Sequence, residues 1–120
     1  MLIGMVMDEN KKNIVPFING KYVRVYDDKS EKYKDVKNPS LQLNTGKRSA
    51  VISWFYNQNI ELICSPPNTF CELSYKSAKE KKMNFLTFEE NIPFETFKKR
   101  LKNGDINLTS YIEKRNLKSN

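Results

Sequence analysis

The 120-residue chain contains no histidine and only two cysteines. Without histidine there is no Ser-His-Asp or Cys-His nucleophile pair, no histidine general base and no imidazole metal ligand. Two cysteines are too few for a four-cysteine zinc or iron–sulfur cage within one chain. Long hydrophobic runs are also missing. The apolar start, Met1–Met7, is ended by Asp8 and Glu9, well short of the roughly 20 residues a membrane span needs. It has no basic region before it and no small-residue cleavage site, so it does not read as a secretory signal. The expectation is a cytoplasmic protein with reduced cysteines and no membrane partner.

What is present suits one domain. Hydrophobic residues make up 38% and aromatics 12%, enough to close a core at this length. The formal net charge is +7 and unevenly spread: residues 1–74 carry 10 basic and 8 acidic groups, residues 75–120 carry 11 and 6. Such an excess attracts anions, nucleic acid among them, or serves only to keep a lysine-rich surface solvated.

Strand signals fill the first forty residues. Leu2–Met7 is nearly continuously apolar, as in a strand covered on both faces. Ile14–Phe17 is a second extended piece, and Asn19-Gly20 is the favoured two-residue hairpin pair. Lys21–Asp27 alternates Tyr22, Arg24 and Tyr26 against Val23 and Val25. Lys32–Lys37 reads as a polar edge strand whose lysines discourage edge pairing. Helices and strands then alternate. Gly46–Gln58 predicts a helix capped by Thr45 or Asn44. Ile60–Cys64 predicts a strand. Thr69-Phe-Cys-Glu72 has the form of a capping box, opening a helix to Lys82 that turns Phe70, Leu73 and Ser77 or Ala78 inward. Asn84–Phe88 predicts a strand, and a helix from Pro93 to Gly104 buries Phe94, Phe97 and Leu101. Residues 105–120 read as a polar tail with Tyr111, Ile112 and Leu117 as docking residues. The order β-β-β-β-α-β-α-β-α implies a single three-layer α/β domain, a mixed sheet with helices on its faces.

In such sheets ligands settle beyond the carboxyl ends of the parallel strands, which directs attention to Met7–Asn10, Cys64–Phe70 and Phe88–Asn91. The junction Cys64-Ser-Pro-Pro-Asn-Thr-Phe-Cys71 is the least ordinary local sequence. A thiol at a helix start is acidified by the N–H groups and dipole there, so Cys64, Ser65, Pro67, Asn68 and Cys71 are candidate ligand-binding residues, with Cys64 and Cys71 as candidate metal ligands. Two buried small hydrophobes would give the same sequence, and a disulfide between them is sterically allowed. No glycine-rich phosphate loop is present, and the two prolines remove backbone donors. Asp8-Glu9 and Glu89-Glu90 could hold Mg²⁺ for nuclease chemistry if Asp8 and Glu89 converge, or serve as turn and helix-start residues. Tyr22, Tyr26 and Tyr33 among basic residues could stack single-stranded nucleic acid or pack across strands.

Taken in order, MLIGMVMDEN (Met1–Asn10), Pro16-Phe17, YVRVYD (Tyr22–Asp27), Asn38-Pro39, Gly46 and Pro67-Asn68 before a helix resemble the dinitrogenase iron–molybdenum cofactor biosynthesis family, the NifX-like group of small cofactor carriers. The resemblance spans residues 1–104. It implies a ribonuclease H-like fold with a five- or six-stranded mixed sheet. It also implies a non-catalytic accessory role, carrying an iron–sulfur or iron–molybdenum-type cluster or a related ligand between donor and acceptor proteins. Where that family shows His-Phe-Gly, this chain has Pro16-Phe17-Ile18, so a histidine ligand is missing, and Cys64 or Cys71 would have to replace it. The alternative is a basic nucleic-acid- or protein-binding module on the same fold.

Overall fold

The apolar run at the start becomes the central strand. In the computed structural model, which describes residues 1–119, β1 (Leu2–Met7) is followed by β2 (Asn13–Val15), a 3-10 turn (Phe17–Asn19), β3 (Tyr22–Asp27), β4 (Tyr33–Lys37) and α1 (Lys47–Asn57). Next come β5 (Leu62–Ser65), α2 (Glu72–Glu80), β6 (Asn84–Thr87), β7 (Ile92–Pro93), α3 (Phe94–Asn103) and β8 (Asn107–Thr109), with a 3-10 turn at Lys114–Asn116. The sheet order is β4-β3-β1-β5-β6-β8, and the short β2 and β7 branch from β1. β1, β5 and β6 are parallel; the other pairings are antiparallel. This is the expected three-layer mixed α/β domain, with six strands along the main path.

Strand alternation divides the core in two. Val6, Val23, Ile63 and Phe85 face α1 and α2 and pack with Val51, Ile52, Phe55 and Ala78. Ile3, Met5, Met7, Cys64 and Leu86 face the other way, under Phe94 and Phe97 of α3. β1 is buried on both faces, which explains its unbroken hydrophobicity.

Asn19-Gly20 does not form the expected hairpin. Its two flanking strands do not pair with each other; both pair with β1, at Val6↔Val15 and Val6↔Val23, on opposite edges. The residues between them form the 3-10 turn, and Gly20 has an ordinary φ of −118°. Glycine is needed there for close approach: a Cβ would run into Val6 and lie 2.5 Å from the Met7 carbonyl. The Asn38 side chain fixes this crossing by donating to the Phe17 and Gly20 carbonyls at 2.9 and 3.0 Å.

Two helix starts also differ from expectation. α1 is preceded by Gly46 in the left-handed region (φ 67°), with no side-chain cap from Thr45 or Asn44. α2 is capped by Cys71, whose backbone N–H donates to Ser74 Oγ at 2.9 Å while Ser74 N–H donates to Cys71 Sγ at 3.5 Å. Thr69 instead donates its hydroxyl to the Pro66 carbonyl at 2.7 Å. Starting the helix two residues later rotates its faces, so Ser74 and Ala78 are buried and Leu73 is 75% exposed. Residues after Asp105 do more than trail. β8 extends the sheet beside β6, Ile112 enters the core and Leu117 packs against it, while Tyr111 stays exposed. Among the described residues no helix is long and apolar enough to cross a membrane.

Candidate functional site

β1 and β5 end at the same side of the sheet, where α1 and α2 begin. The β5–α2 junction is shaped by its prolines. Thr69 N–H donates to the Pro66 carbonyl at 3.3 Å, closing a four-residue turn with Pro67 second and Asn68 third. Asn68 has φ 70°, as a type II turn requires, and asparagine accepts it more readily than most residues. Pro67 and Asn68 are thus the turn's geometry. Ser65 is buried and Asn68 exposed.

The turn separates the two thiols. Cys64 is buried on the α3 side of the sheet, and burial pushes its thiol well above the ordinary range. Cys71 is half-buried at the α2 N-cap, on the α1–α2 side. Burial raises its pKa, but hydrogen bonds with Ser74 and the positive charge of Arg48 outweigh that and hold it below the usual thiol value. Both cysteines are free. The junction therefore offers one activated, reachable thiol and one inert thiol.

Arg48, in the first turn of α1, reaches across to the junction and donates from Nε to the Thr69 carbonyl at 3.2 Å. This bond ties the two helix starts together. α1 begins without a side-chain cap, so its first N–H groups, the α2 start, Arg48 and Lys47 give this rim a positive character. The C-terminal segment walls the far side: Asn68 N–H donates to the Asn116 carbonyl at 2.9 Å and Lys118 N–H to the Phe70 carbonyl at 2.7 Å. Beside the α2 start, Glu72, Lys114, Leu117 and Lys118 line a shallow cavity of about 290 Å³. Neither Arg48 nor the lysines of this C-terminal wall stood out in the sequence, because only the fold brings them to Cys71.

The acidic pairs do not assemble a metal site. Asp8 closes its own turn, accepting from Lys12 N–H, Asn13 N–H and the Asn13 amide at 2.9–3.1 Å. Glu89 is exposed, with Arg100 3.8 Å away. Among the described residues no three Cys, Asp or Glu side chains lie together to hold a metal ion. The tyrosines do not form an open stacking platform either. Tyr26 is buried edge-on against Phe94 and Phe97, and Tyr33 lies against Phe94 and over the Arg24 guanidinium.

Sheet order and helix placement make this a three-layer α/β domain with a positively charged rim at the carboxyl ends of its parallel strands. No family model matches the chain, and no curated protein matches its sequence. Solved structures that share the fold include the following two. The apo form of the orange protein from Desulfovibrio gigas superposes with a TM-score of 0.73 at 12% identity, covering 90% of this chain and 92% of that one. A putative NifB protein from Thermotoga, assigned to the DUF35 family, superposes at 0.68 with 13% identity, covering 93% and 96%. At these identities the likeness is one of fold.

Proposed function

We propose that the protein is a non-catalytic accessory protein of the NifX-like kind, which carries a small anionic metal–sulfur cluster at the rim between α1 and α2. The observation that carries this reading is Cys71: a reachable thiol of lowered pKa at a helix N-terminus, beside Arg48. Support comes also from the shared fold with an orange protein solved in its apo form and with a putative NifB protein. A resident cluster held by several side chains does not fit, since among the described residues the rim supplies a single thiol and no converging carboxylates. A cargo that brings most of its own sulfide ligands does fit. Its negative charge would meet Arg48 and the helix starts, and Cys71 would supply one thiolate. Of the junction residues, Cys71 then binds, Pro67 and Asn68 shape the turn, and Cys64 and Ser65 belong to the core.

The test is anaerobic incubation with iron and sulfide, with and without molybdate, followed by desalting. Visible absorption should remain with the wild-type protein and with Cys64→Ser, and should be lost in Cys71→Ser. A protein colourless under every condition, or equally coloured after Cys71→Ser, would reject the cluster reading.

A further inference from the structure

The β4 edge of the sheet is open and lies beside an apolar groove at the opposite end from the Cys71 rim. We propose that this edge docks an extended, acidic segment of a partner protein by strand addition. β4 ends the sheet order, with no strand on its outer side among the described residues. Two backbone bonds fix which of its groups are free: Asp27 N–H to the Lys32 carbonyl (2.9 Å) and Asn38 N–H to the Lys21 carbonyl (2.8 Å). With the β3–β4 register, Lys32, Lys34 and Val36 turn their backbone groups toward β3. Tyr33, Asp35 and Lys37 turn theirs outward, a row of donors and acceptors that an added strand can pair.

The side chains define what that strand must carry. Lys32, Lys34 and Val36 line a groove of about 510 Å³ whose apolar walls include Leu2, Val25 and Trp54. Asp27, the one carboxylate lining it among the described residues, is taken by the amino terminus at 3.7 Å and by the Lys29 N–H at 3.0 Å. On the other face Asp35 is neutralised by Arg24, which donates from Nε and Nη2 at 2.7 and 2.9 Å. The charge left on this edge is that of Lys32, Lys34 and Lys37, none of which has an ion-pair partner among the described residues. Pairing two copies through β4 would crowd Lys32, Lys34 and Lys37 of both copies along one seam, so charge disfavours a symmetric dimer here. An acidic strand reverses that sign. Because side chains alternate, the partner needs acids at two alternate positions, facing Lys32 and Lys34, and an apolar residue at the next, entering the groove against Trp54.

The probe is a pair of synthetic peptides carrying Glu-Thr-Glu-Thr-Val in this and the reversed order, titrated into ¹⁵N-labelled protein. One order should shift the Tyr33, Asp35 and Lys37 amides and the Trp54 indole. Binding should weaken about tenfold in Lys32→Glu/Lys34→Glu, return there with lysine in place of the peptide's glutamates, and persist in Lys76→Glu/Lys99→Glu. The proposal is overturned by no binding at millimolar peptide, by unchanged affinity in the Lys32/Lys34 variant, by shifts confined to the Cys71 rim, or by dimerisation through β4. None of these outcomes depends on cluster binding, so the two readings fail separately.

Discussion

Cys71 and Cys64 are seven positions apart and chemically identical, yet their surroundings give them opposite characters. The Cys64 thiol sits in the α3-side core and is pushed up by burial; the Cys71 thiol is pulled down by Ser74 and Arg48. Thiolate, the reactive form, therefore appears on Cys71 at lower pH than on an ordinary cysteine. Iodoacetamide should label Cys71 alone in the folded protein, with a rate–pH midpoint below the usual value of about 8.5. Arg48→Gln removes a positive charge that favours thiolate, so its midpoint should move up and its rate at neutral pH should fall. Labelling of both thiols at one rate would contradict this. The sequence showed that Cys71 follows a turn near a helix start, and so offered both thiols as ligands. It could not separate them, because the face on which a strand residue lies depends on register and on which helix covers it. Arg48 was illegible for a similar reason: its reach to the Thr69 carbonyl spans 21 residues of chain.

At the level of elements, the strands and helices with strong periodicity were legible and their junctions were not. α3 runs from Phe94 to Asn103, between Pro93 and a left-handed Gly104 as its signals indicate, because both end signals act locally. The α2 cap is ambiguous in the sequence because Thr69–Glu72 and Cys71–Ser74 compete for one helix start. The turn at Pro66–Thr69 consumes the Thr69 hydroxyl and leaves Cys71 as the first free cap. Asn19-Gly20 misled in the same way, since a pair suited to a tight turn is here selected by the closeness of Gly20 to β1. Gly20→Ala separates the two explanations. A turn with ordinary φ would accept alanine at little cost, whereas the contacts at Val6 and Met7 predict a loss of about 1–3 kcal/mol from overpacking. Urea unfolding measures it, and an unchanged midpoint would refute the close-approach account.

Across the whole molecule, the chain from Asp105 onward joins the sheet, the core and the rim. β8 covers the outer side of β6, Ile112 is 6% exposed, and the following residues pair with Asn68 and Phe70. The sequence hid this because its apolar residues, Ile106, Leu108, Tyr111, Ile112 and Leu117, are scattered among charged, hydroxyl and amide residues. Here backbone bonds fix the position that hydrophobic patterning could not reveal. Ile112→Ala should destabilise by about 2–3 kcal/mol through the cavity it leaves, seen as a lower denaturation midpoint; a surface-like loss below about 0.5 kcal/mol would mean the segment is not docked. The three-layer class, by contrast, was plain from element order alone. The proposed seat of the cargo is Cys71 at the rim, and cysteine footprinting after anaerobic loading with iron, sulfide and molybdate is the decisive measurement. Loaded protein should shield Cys71 from iodoacetamide, removal of the cargo should restore labelling, and Cys64 should stay unlabelled throughout. A coloured, loaded protein whose Cys71 is alkylated as fast as in the unloaded form would contradict it.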